Sequence, residues 1–249
     1  MTKIKFNGVL FPLISFFSLI FFWQIASFYF MDFFLPSPLS VFQRFLASAG
    51  KGFFFDVFAS ILRISIGFLV SLIVSVPLGF LIYSNEKSRL FLQPLIEFAR
   101  YTPLPAFIPL LILWFGIGEE EKIIVVFLTV SVNLILMVSD ACKDVPKNLL
   151  DFAFTLGLDG KKALMHVVFP FALPRIVEAS RISLGYAWSA LIIAELIGAS
   201  TGLGFLIIKG QRLLQTDLVF AAIIFTGLIG LISDFLMKKL EKKVSHWKK

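Results

Sequence analysis

The chain has 249 residues, of which 58% are apolar, and its mean hydropathy is +0.92. One globular core of this size cannot bury so much apolar surface, so the composition excludes an ordinary water-soluble domain and requires a lipid bilayer as solvent. The formal charge of +7 does not indicate nucleic-acid binding, because Lys and Arg occur in short segments between long apolar runs.

Six apolar stretches approach the roughly 20 residues that a helix needs to cross a bilayer. The first is too long for a signal-peptide core and is not followed by a small-residue cleavage site, so we interpret it as a retained span. The third contains four prolines, which we expect to bend or break it. The pattern predicts an all-α membrane protein with about six transmembrane helices in one domain, 1–249. The spans are expected at 9–30, 57–83, 91–116, 123–141, 176–199 and 218–237.

The basic residues predict an orientation. If the N-terminus lies inside, the inner segments carry 15 Lys and Arg residues and the outer segments only 5. Since inner loops of membrane proteins are enriched in positive charge, we expect a multi-pass protein of the cell membrane, inner or plasma, with both termini in the cytoplasm. A turn at 35–38, a short amphipathic helix at 39–49 and a Gly-rich turn at 198–204 then lie outside.

The longest inner loop, 143–175, is the one segment between the apolar spans that is polar and also carries helix signals. Asp144 and Asp159 are candidate helix N-caps, and Gly157 suits the left-handed exit from a helix. The helix after Asp159 is expected to stop at Pro170. The loop therefore predicts helix, glycine turn, helix, and such order in a long loop indicates a docking element.

The loop contains Asp151-Phe-Ala153, then Gly157 after three residues, then Val167-Val-Phe-Pro170 after nine more. This pattern resembles the EAA loop of ABC importer permeases, which reads Glu-Ala-Ala, three residues, Gly, nine residues, Ile-x-Leu-Pro, with Asp151 in place of Glu. The similarity covers the chain from about residue 35 onward and is typical of the nitrate/sulfonate/taurine/bicarbonate branch. It is carried by segments 35–38, 63–67, 77–79, 109–118 and 214–217, the fourth of which reads Pro109-Leu-Leu-Ile-Leu-Trp-Phe-Gly-Ile-Gly118.

The resemblance implies a type I ABC importer permease fold and a set of partners. These partners are a second copy of the chain in a homodimer, two cytoplasmic ABC ATPase subunits and an extracytoplasmic substrate-binding protein. It implies a non-catalytic subunit without a cofactor, with ATP bound by the ATPase partner, and the sequence indeed lacks a G-x-x-x-x-G-K-[ST] phosphate loop. The residues expected to couple the loop to the ATPase are Asp151, Ala153, Gly157, Lys161 and Pro170.

Polar side chains within the spans are further candidates, because they are costly in hydrocarbon unless they face protein or water. Glu97 with Arg100, and Glu178 with Arg181, have a spacing that favours an ion pair on one helix face, although Arg100 can instead contact an anion. The candidates for the substrate path are Arg100, Trp114, Asn133, Trp188 and Glu195. For the last four, interhelical hydrogen bonding and packing are the alternative roles.

Other functions have less support. His166 and His246 lack acidic or cysteine neighbours at ligand spacing, so no metal site is predicted, and Cys142 is expected to be a small buried hydrophobe. A membrane-embedded enzyme needs clustered catalytic groups, and a passive channel does not need a capped docking loop. The expected substrate is a small anion such as nitrate, a sulfonate or taurine. A permease for a vitamin precursor, such as the thiamine pyrimidine, is the alternative.

Overall fold

The structure is a computed structural model that describes residues 3–30 and 34–245, and these residues form eleven α-helices and no β-strand. Short π-helical or 3-10 segments lie before α3, α5 and α9. The helices are α1 (Lys3–Tyr29), α2 (Pro38–Ser48), α3 (Phe54–Ser84), α4 (Glu86–Tyr101), α5 (Ile108–Phe115), α6 (Glu119–Lys143), α7 (Lys147–Thr155), α8 (Gly160–Ala163), α9 (Phe169–Gly198), α10 (Leu203–Arg212) and α11 (Thr216–Val244).

Four helical stretches are long and apolar enough to cross a bilayer. They are α3, α6, the continuous run from α8 through α9, and α11, and the pair α4–α5 is a fifth candidate if it is counted as one bent span. In α1 the residues Leu13–Tyr29 form a shorter apolar helix. The predicted number of about six spans is reached only when α1 is included, and the predicted class, an all-α membrane protein, is confirmed.

The stretch predicted as one span at 91–116 is two helices that meet at an angle of 86°. The break falls at Thr102 and Pro103, which both have extended backbone conformations. The helical region is disfavoured for a residue before proline, and proline has no N–H to donate, so two prolines in close succession, Pro103 and Pro105, favour a break in the α-helix here. The chain therefore turns here through a short 3-10 segment, Leu104–Phe107.

The expectation that the loop helix stops at Pro170 is wrong. The chain is helical without interruption from Gly160 to Gly198, so the second half of the predicted loop is the beginning of a spanning helix. Pro170 is the second residue of α9, and a wider π-helical turn, Leu164–Val168, comes directly before it. The wider turn makes room for the proline ring, which would clash with a normal α-helical turn.

The centre of the molecule is the bundle of α3, α6 and α9. Two glycines on α3 allow a close approach to α6: a Cβ atom built at Gly67 would lie 2.7 Å from Val126, and one built at Gly79 would lie 2.6 Å from Val138. Small residues are typical of helix pairs that pack tightly in membranes. The fully buried side chains of Leu134 and Leu191 continue this core along α6 and α9.

The outer helices cover the bundle and expose apolar side chains. Phe45 of α2 stacks on Phe225 of α11 with ring centroids 4.7 Å apart, and Trp23 of α1 stacks on Phe220. Many large apolar side chains on α1, α3 and α11 point away from the protein. Exposed apolar surface of this extent needs a lipid or protein neighbour, as expected of a membrane-embedded bundle.

Candidate functional site

The 143–175 segment is an ordered element. Helix α7 ends in a Schellman motif, in which Leu158 N–H donates to the carbonyl of Ala153 and Gly157 N–H donates to that of Phe154, both at 3.0 Å. Gly157 has a φ of 75°, in the left-handed region that favours glycine. The predicted left-handed glycine at the end of a helix is therefore present, in the turn after α7. The predicted cap at Asp144 is absent, since α7 begins after Pro146 and Asp144 instead pairs with Arg175.

The inner face of this segment is anchored on the bundle. Ala153 is the buried residue of α7, Ala163 of α8 is also buried, and Val145 and Val168 belong to the main apolar core. The ring of Phe169 lies 5.6 Å from that of Phe80 on α3. A movement of the segment must therefore carry the ends of α3 and α9 with it, because packed cores transmit displacement.

The outer face of the segment is apolar and exposed. Phe152 and Leu156 are 62% and 63% exposed, and Phe154 and Met165 are also largely uncovered. Asp151, Lys161 and Pro170 are exposed beside them. A cluster of exposed aromatic and aliphatic side chains bordered by charged groups is typical of a protein docking surface. Between this segment and the end of α3 lies a cleft of about 670 Å³, lined by Tyr83 and Lys161.

The other polar feature is a buried charged cluster around Arg63 of α3. The guanidinium contacts both carboxylate oxygens of Glu119, at 2.6 and 2.7 Å, in a bidentate arrangement. Its Nη1 donates to Glu195 Oε1 and to the carbonyl of Thr201, both at 2.7 Å. Arg63 thus joins α3 to the beginning of α6 and to the end of α9.

Glu195 has further partners inside the same cluster. Its carboxylate accepts hydrogen bonds from the Ser60 hydroxyl at 2.7 Å and from Gly204 N–H at 2.8 Å. A Cβ atom at Gly202, where φ is 120°, would come within 2.5 Å of this carboxylate, so only glycine fits there. Asp56 accepts a hydrogen bond from Gly202 N–H. The contacts of Glu195 are those of an interhelical hydrogen-bonding residue, and its role in a substrate path stays a prediction.

Among the described residues, no hydrogen bond joins any two of the five candidates for the substrate path. Arg100 and Trp114 are exposed, on α4 and α5. Asn133 is half-buried and donates to Thr129 of its own helix at 3.1 Å. Trp188 is buried beside a cavity between α9 and α11. The structure therefore distributes these candidates over the bundle.

The two ion pairs expected within single helices are not formed. Arg181 pairs with Asp234 of α11 at 3.1 Å and lies 3.6 Å from Glu241, while Glu178 is exposed. Glu97 accepts a hydrogen bond from the Gln93 amide, and the Arg100 guanidinium lies over the ring of Tyr101. For Arg181, a carboxylate on the neighbouring helix is the partner instead of the one on its own helix.

Sequence reasoning missed most of the cluster around Arg63. Ser60, Glu119 and Thr201 come from three distant parts of the chain, and no local spacing connects them. The Gly-rich turn was the only available signal, because repeated glycines indicate a close backbone approach. Within residues 3–30 and 34–245 there is no group of three His, Cys, Asp or Glu side chains suited to a metal ion, and His246 lies outside these residues.

A bundle of apolar helices long enough to span a bilayer, with an ordered and partly exposed segment between two of them, defines a polytopic membrane protein. Residues 71–246 match the family of binding-protein-dependent transport system inner membrane components. The chain belongs to this family and is a multi-pass inner-membrane permease subunit of the ABC importer type. Such subunits are non-catalytic, as the sequence predicted.

Relatives support this assignment over nearly the whole chain. The taurine transport system permease protein TauC of Escherichia coli is 32% identical, over 90% of this chain and 84% of its own length. The putative aliphatic sulfonates transport permease protein SsuC of Bacillus subtilis is also 32% identical, over 86% and 78%. The bicarbonate transport system permease protein CmpB of Synechococcus elongatus is 30% identical, over 96% and 90%.

The fold has a counterpart among solved structures. A chain of the MetNI methionine ABC transporter in an inward-facing conformation superposes with a TM-score of 0.70, covering 77% of this chain and 95% of the other. The sequence identity is 17%, so the likeness concerns the fold alone. It confirms the expected type I importer permease fold.

Proposed function

We propose that this permease imports a small organic or inorganic anion, such as a sulfonate, taurine or nitrate, in a complex with two cytoplasmic ABC ATPase subunits and an extracytoplasmic binding protein. The relatives named for taurine, aliphatic sulfonates and bicarbonate support this substrate class. The permease acts as a homodimer, and both termini lie in the cytoplasm. A vitamin precursor is the alternative substrate.

The observation that carries this proposal is the construction of the 143–175 segment. Its outer face exposes Phe152 and Leu156, while its inner face is locked to the ends of α3 and α9. A surface that is both free to bind and rigidly attached to spanning helices can transmit the closing of a partner to the bundle. ATP is bound by the partner, and its binding and release shift the permease between outward-facing and inward-facing arrangements.

The coupling role is tested at Gly157. Replacing it with Pro removes the N–H that closes the Schellman motif and forces a negative φ, so the loop is expected to lose its shape. Gly157→Asn is the matched control, because Asn tolerates the left-handed conformation. We expect G157P to abolish ATP-dependent uptake into proteoliposomes and G157N to retain most of it. Normal uptake by G157P would remove the segment from the mechanism.

The substrate class is tested with the reconstituted complex and its binding protein. Radiolabelled taurine, nitrate and an alkanesulfonate are supplied outside the vesicles, and ATP is supplied to the ATPase side. ATP-dependent accumulation of at least one of them is expected. Accumulation of a vitamin precursor that carries no sulfonate or other oxyanion group, with none of these three compounds, would favour the alternative.

A further inference from the structure

The cleft beside the 143–175 segment is walled by three elements. The end of α3 contributes Tyr83 and Ser84, α7 contributes Leu150 and Phe154, and the beginning of the α8–α9 run contributes Lys161. The volume of about 670 Å³ is large enough for a small molecule or for a large side chain of a partner. A group bound in the cleft would touch α3, α7 and the start of the α8–α9 run at once.

The floor of the cleft is one end of the main apolar core. Val168 lines the cleft, is only 2% exposed and belongs to this core. Tyr83 and Leu150 pack against the same core, but both remain partly uncovered. Apolar surface at the edge of a core gains stability when another apolar group removes it from water. An apolar side chain seated in the cleft would therefore extend the core.

The charge of the cleft comes from Lys161. It is the one charged side chain among the described residues that line the cleft, and it is exposed. Its ammonium group forms no ion pair with any residue in the described part of the chain, and Asp159, two residues earlier, is not its partner. An unpaired cation beside an apolar cleft favours an occupant that carries a carboxylate next to its apolar part.

The position of the cleft indicates which molecule supplies the occupant. Phe154 lines the cleft and is also 55% exposed, so the cleft opens beside the exposed apolar side chains of the docking segment. Phe152 and Leu156 lie on the same short helix and its end. A protein that docks on these side chains covers the mouth of the cleft, and its nearest side chains are the ones that can enter.

We propose that the cleft receives an apolar side chain of the ATPase subunit, flanked by a carboxylate of that subunit that pairs with Lys161. This inference rests on the proposed function and deepens it, because it names the surface of the permease that the ATPase enters. The inserted side chain gives the ATPase a direct contact with the end of α3. That contact adds to the indirect one, which reaches α3 through Phe169 and Phe80.

The first test fills the cleft. Ser84 lines the cleft and is exposed, so Ser84→Trp occupies the space with an indole without disturbing a buried position. Ser65→Trp is the matched control, at an exposed serine about 28 Å away along the same helix. The purified ATPase is titrated onto the permease in nanodiscs, and thermal unfolding confirms that each variant folds. We expect S84W to bind at least about tenfold more weakly and S65W to bind normally.

The second test reverses the charge. Lys161→Glu and Lys162→Glu change the net charge equally, and both lysines are exposed, but Lys162 does not line the cleft. We expect at least about tenfold weaker binding of the ATPase to K161E and less than about threefold for K162E. Equal losses would indicate a general attraction between charged surfaces and would overturn the pairing. A lysine in place of one surface carboxylate of the ATPase should restore binding to K161E, and restoration by none would also overturn the pairing.

A lipid arm identifies a competing occupant. An anionic lipid also combines an apolar chain with a negative group, and basic pockets beside membrane helices bind such lipids. ATPase affinity is therefore compared in nanodiscs of phosphatidylcholine alone and in nanodiscs that contain phosphatidylglycerol. Equal affinity supports the proposal. Weaker binding of the ATPase with phosphatidylglycerol would assign the cleft to lipid and overturn it.

The outcome for the proposed function is read separately, with Phe152→Ser on the exposed side of the segment. If F152S weakens ATPase binding while S84W and K161E bind normally, only the assignment of the cleft fails. If all three variants bind the ATPase normally, the docking role of the whole segment fails, and the proposed coupling function fails with it.

Discussion

Nη1 of Arg63 lies 2.7 Å from Oε1 of Glu195, and the two side chains are only 2% and 0% exposed. They come from different helices, so this ion pair joins α3 to α9 inside the protein. Removing Glu195 takes away one of the two carboxylates that compensate the Arg63 charge. It also leaves the Ser60 hydroxyl and the Gly204 N–H without their buried acceptor. We therefore expect Glu195→Ala to lower the free energy of unfolding by about 3 to 5 kcal/mol.

Denaturant titration in mixed micelles measures this loss. Asp140→Ala is the control, because it breaks an exposed pair with Lys143 and is expected to cost less than about 1 kcal/mol. Equal losses for E195A and D140A would show that the cluster around Arg63 does not hold the bundle together.

The contact between α3 and α6 predicts a different sensitivity. Gly67→Ala places a Cβ atom 2.7 Å from Val126 and 3.0 Å from the carbonyl of Ile123, and a backbone atom cannot move aside cheaply. The expected loss of unfolding free energy is about 1 to 3 kcal/mol, typical of overpacking. Gly185→Ala, which meets no neighbour, should be neutral or slightly stabilising. If G185A were the more harmful change, the close packing at Gly67 would be refuted.

The exposed face of the 143–175 segment predicts a binding defect without a folding defect. Phe152→Ser removes a 62% exposed aromatic side chain, so folding should be unaffected, while affinity for the ATPase subunit should fall at least about tenfold. Phe21→Ser on α1, a residue exposed to a similar extent, is the matched control. Titration of the purified ATPase onto immobilised permease gives both affinities. An unchanged dissociation constant for F152S would argue against docking at this face.

The partner of Arg181 can be checked by comparing two acidic residues. Asp234→Ala removes a carboxylate 3.1 Å from the guanidinium and should lower the unfolding temperature, because it breaks a contact between α9 and α11. Glu178→Ala should change stability by less than about 0.5 kcal/mol. Thermal unfolding of the two variants decides the question, and the reverse order would restore the pairing within α9 that the sequence spacing favours.

The sequence reveals the fold class because hydrophobicity acts over contiguous residues. An apolar run long enough to span a bilayer must be helical, so the predicted bounds of α3 and α6 lie within four residues of the observed ones, whereas α11 continues seven residues beyond its predicted end at 237. Gly157 is also predictable, since a helix exit in the left-handed region needs glycine locally. These features depend on neighbours along the chain.

Features that depend on distant neighbours are not predictable in this way. The i,i+3 spacing of Glu178 and Arg181 is a local signal, but Asp234 on α11 comes closer to the guanidinium. The cluster of Arg63, Glu119 and Glu195 requires three helix ends to meet, which only the tertiary fold determines. A proline normally indicates the end of a helix, so the sequence predicts a stop at Pro170. The prediction is wrong because the π-helical turn before Pro170 has no clear signature in the sequence.

The most direct test of the central claim is the accessibility of position 161, on α8. Cys142 is fully buried, so Lys161→Cys in a Cys142→Ala background presents one reactive thiol on the exposed face of the 143–175 segment. A membrane-impermeant maleimide is applied to right-side-out and inside-out membrane vesicles. The proposed coupling role predicts labelling in inside-out vesicles only, with protection when the ATPase subunit is bound. Labelling in right-side-out vesicles would place the segment away from any cytoplasmic ATPase and contradict the proposal.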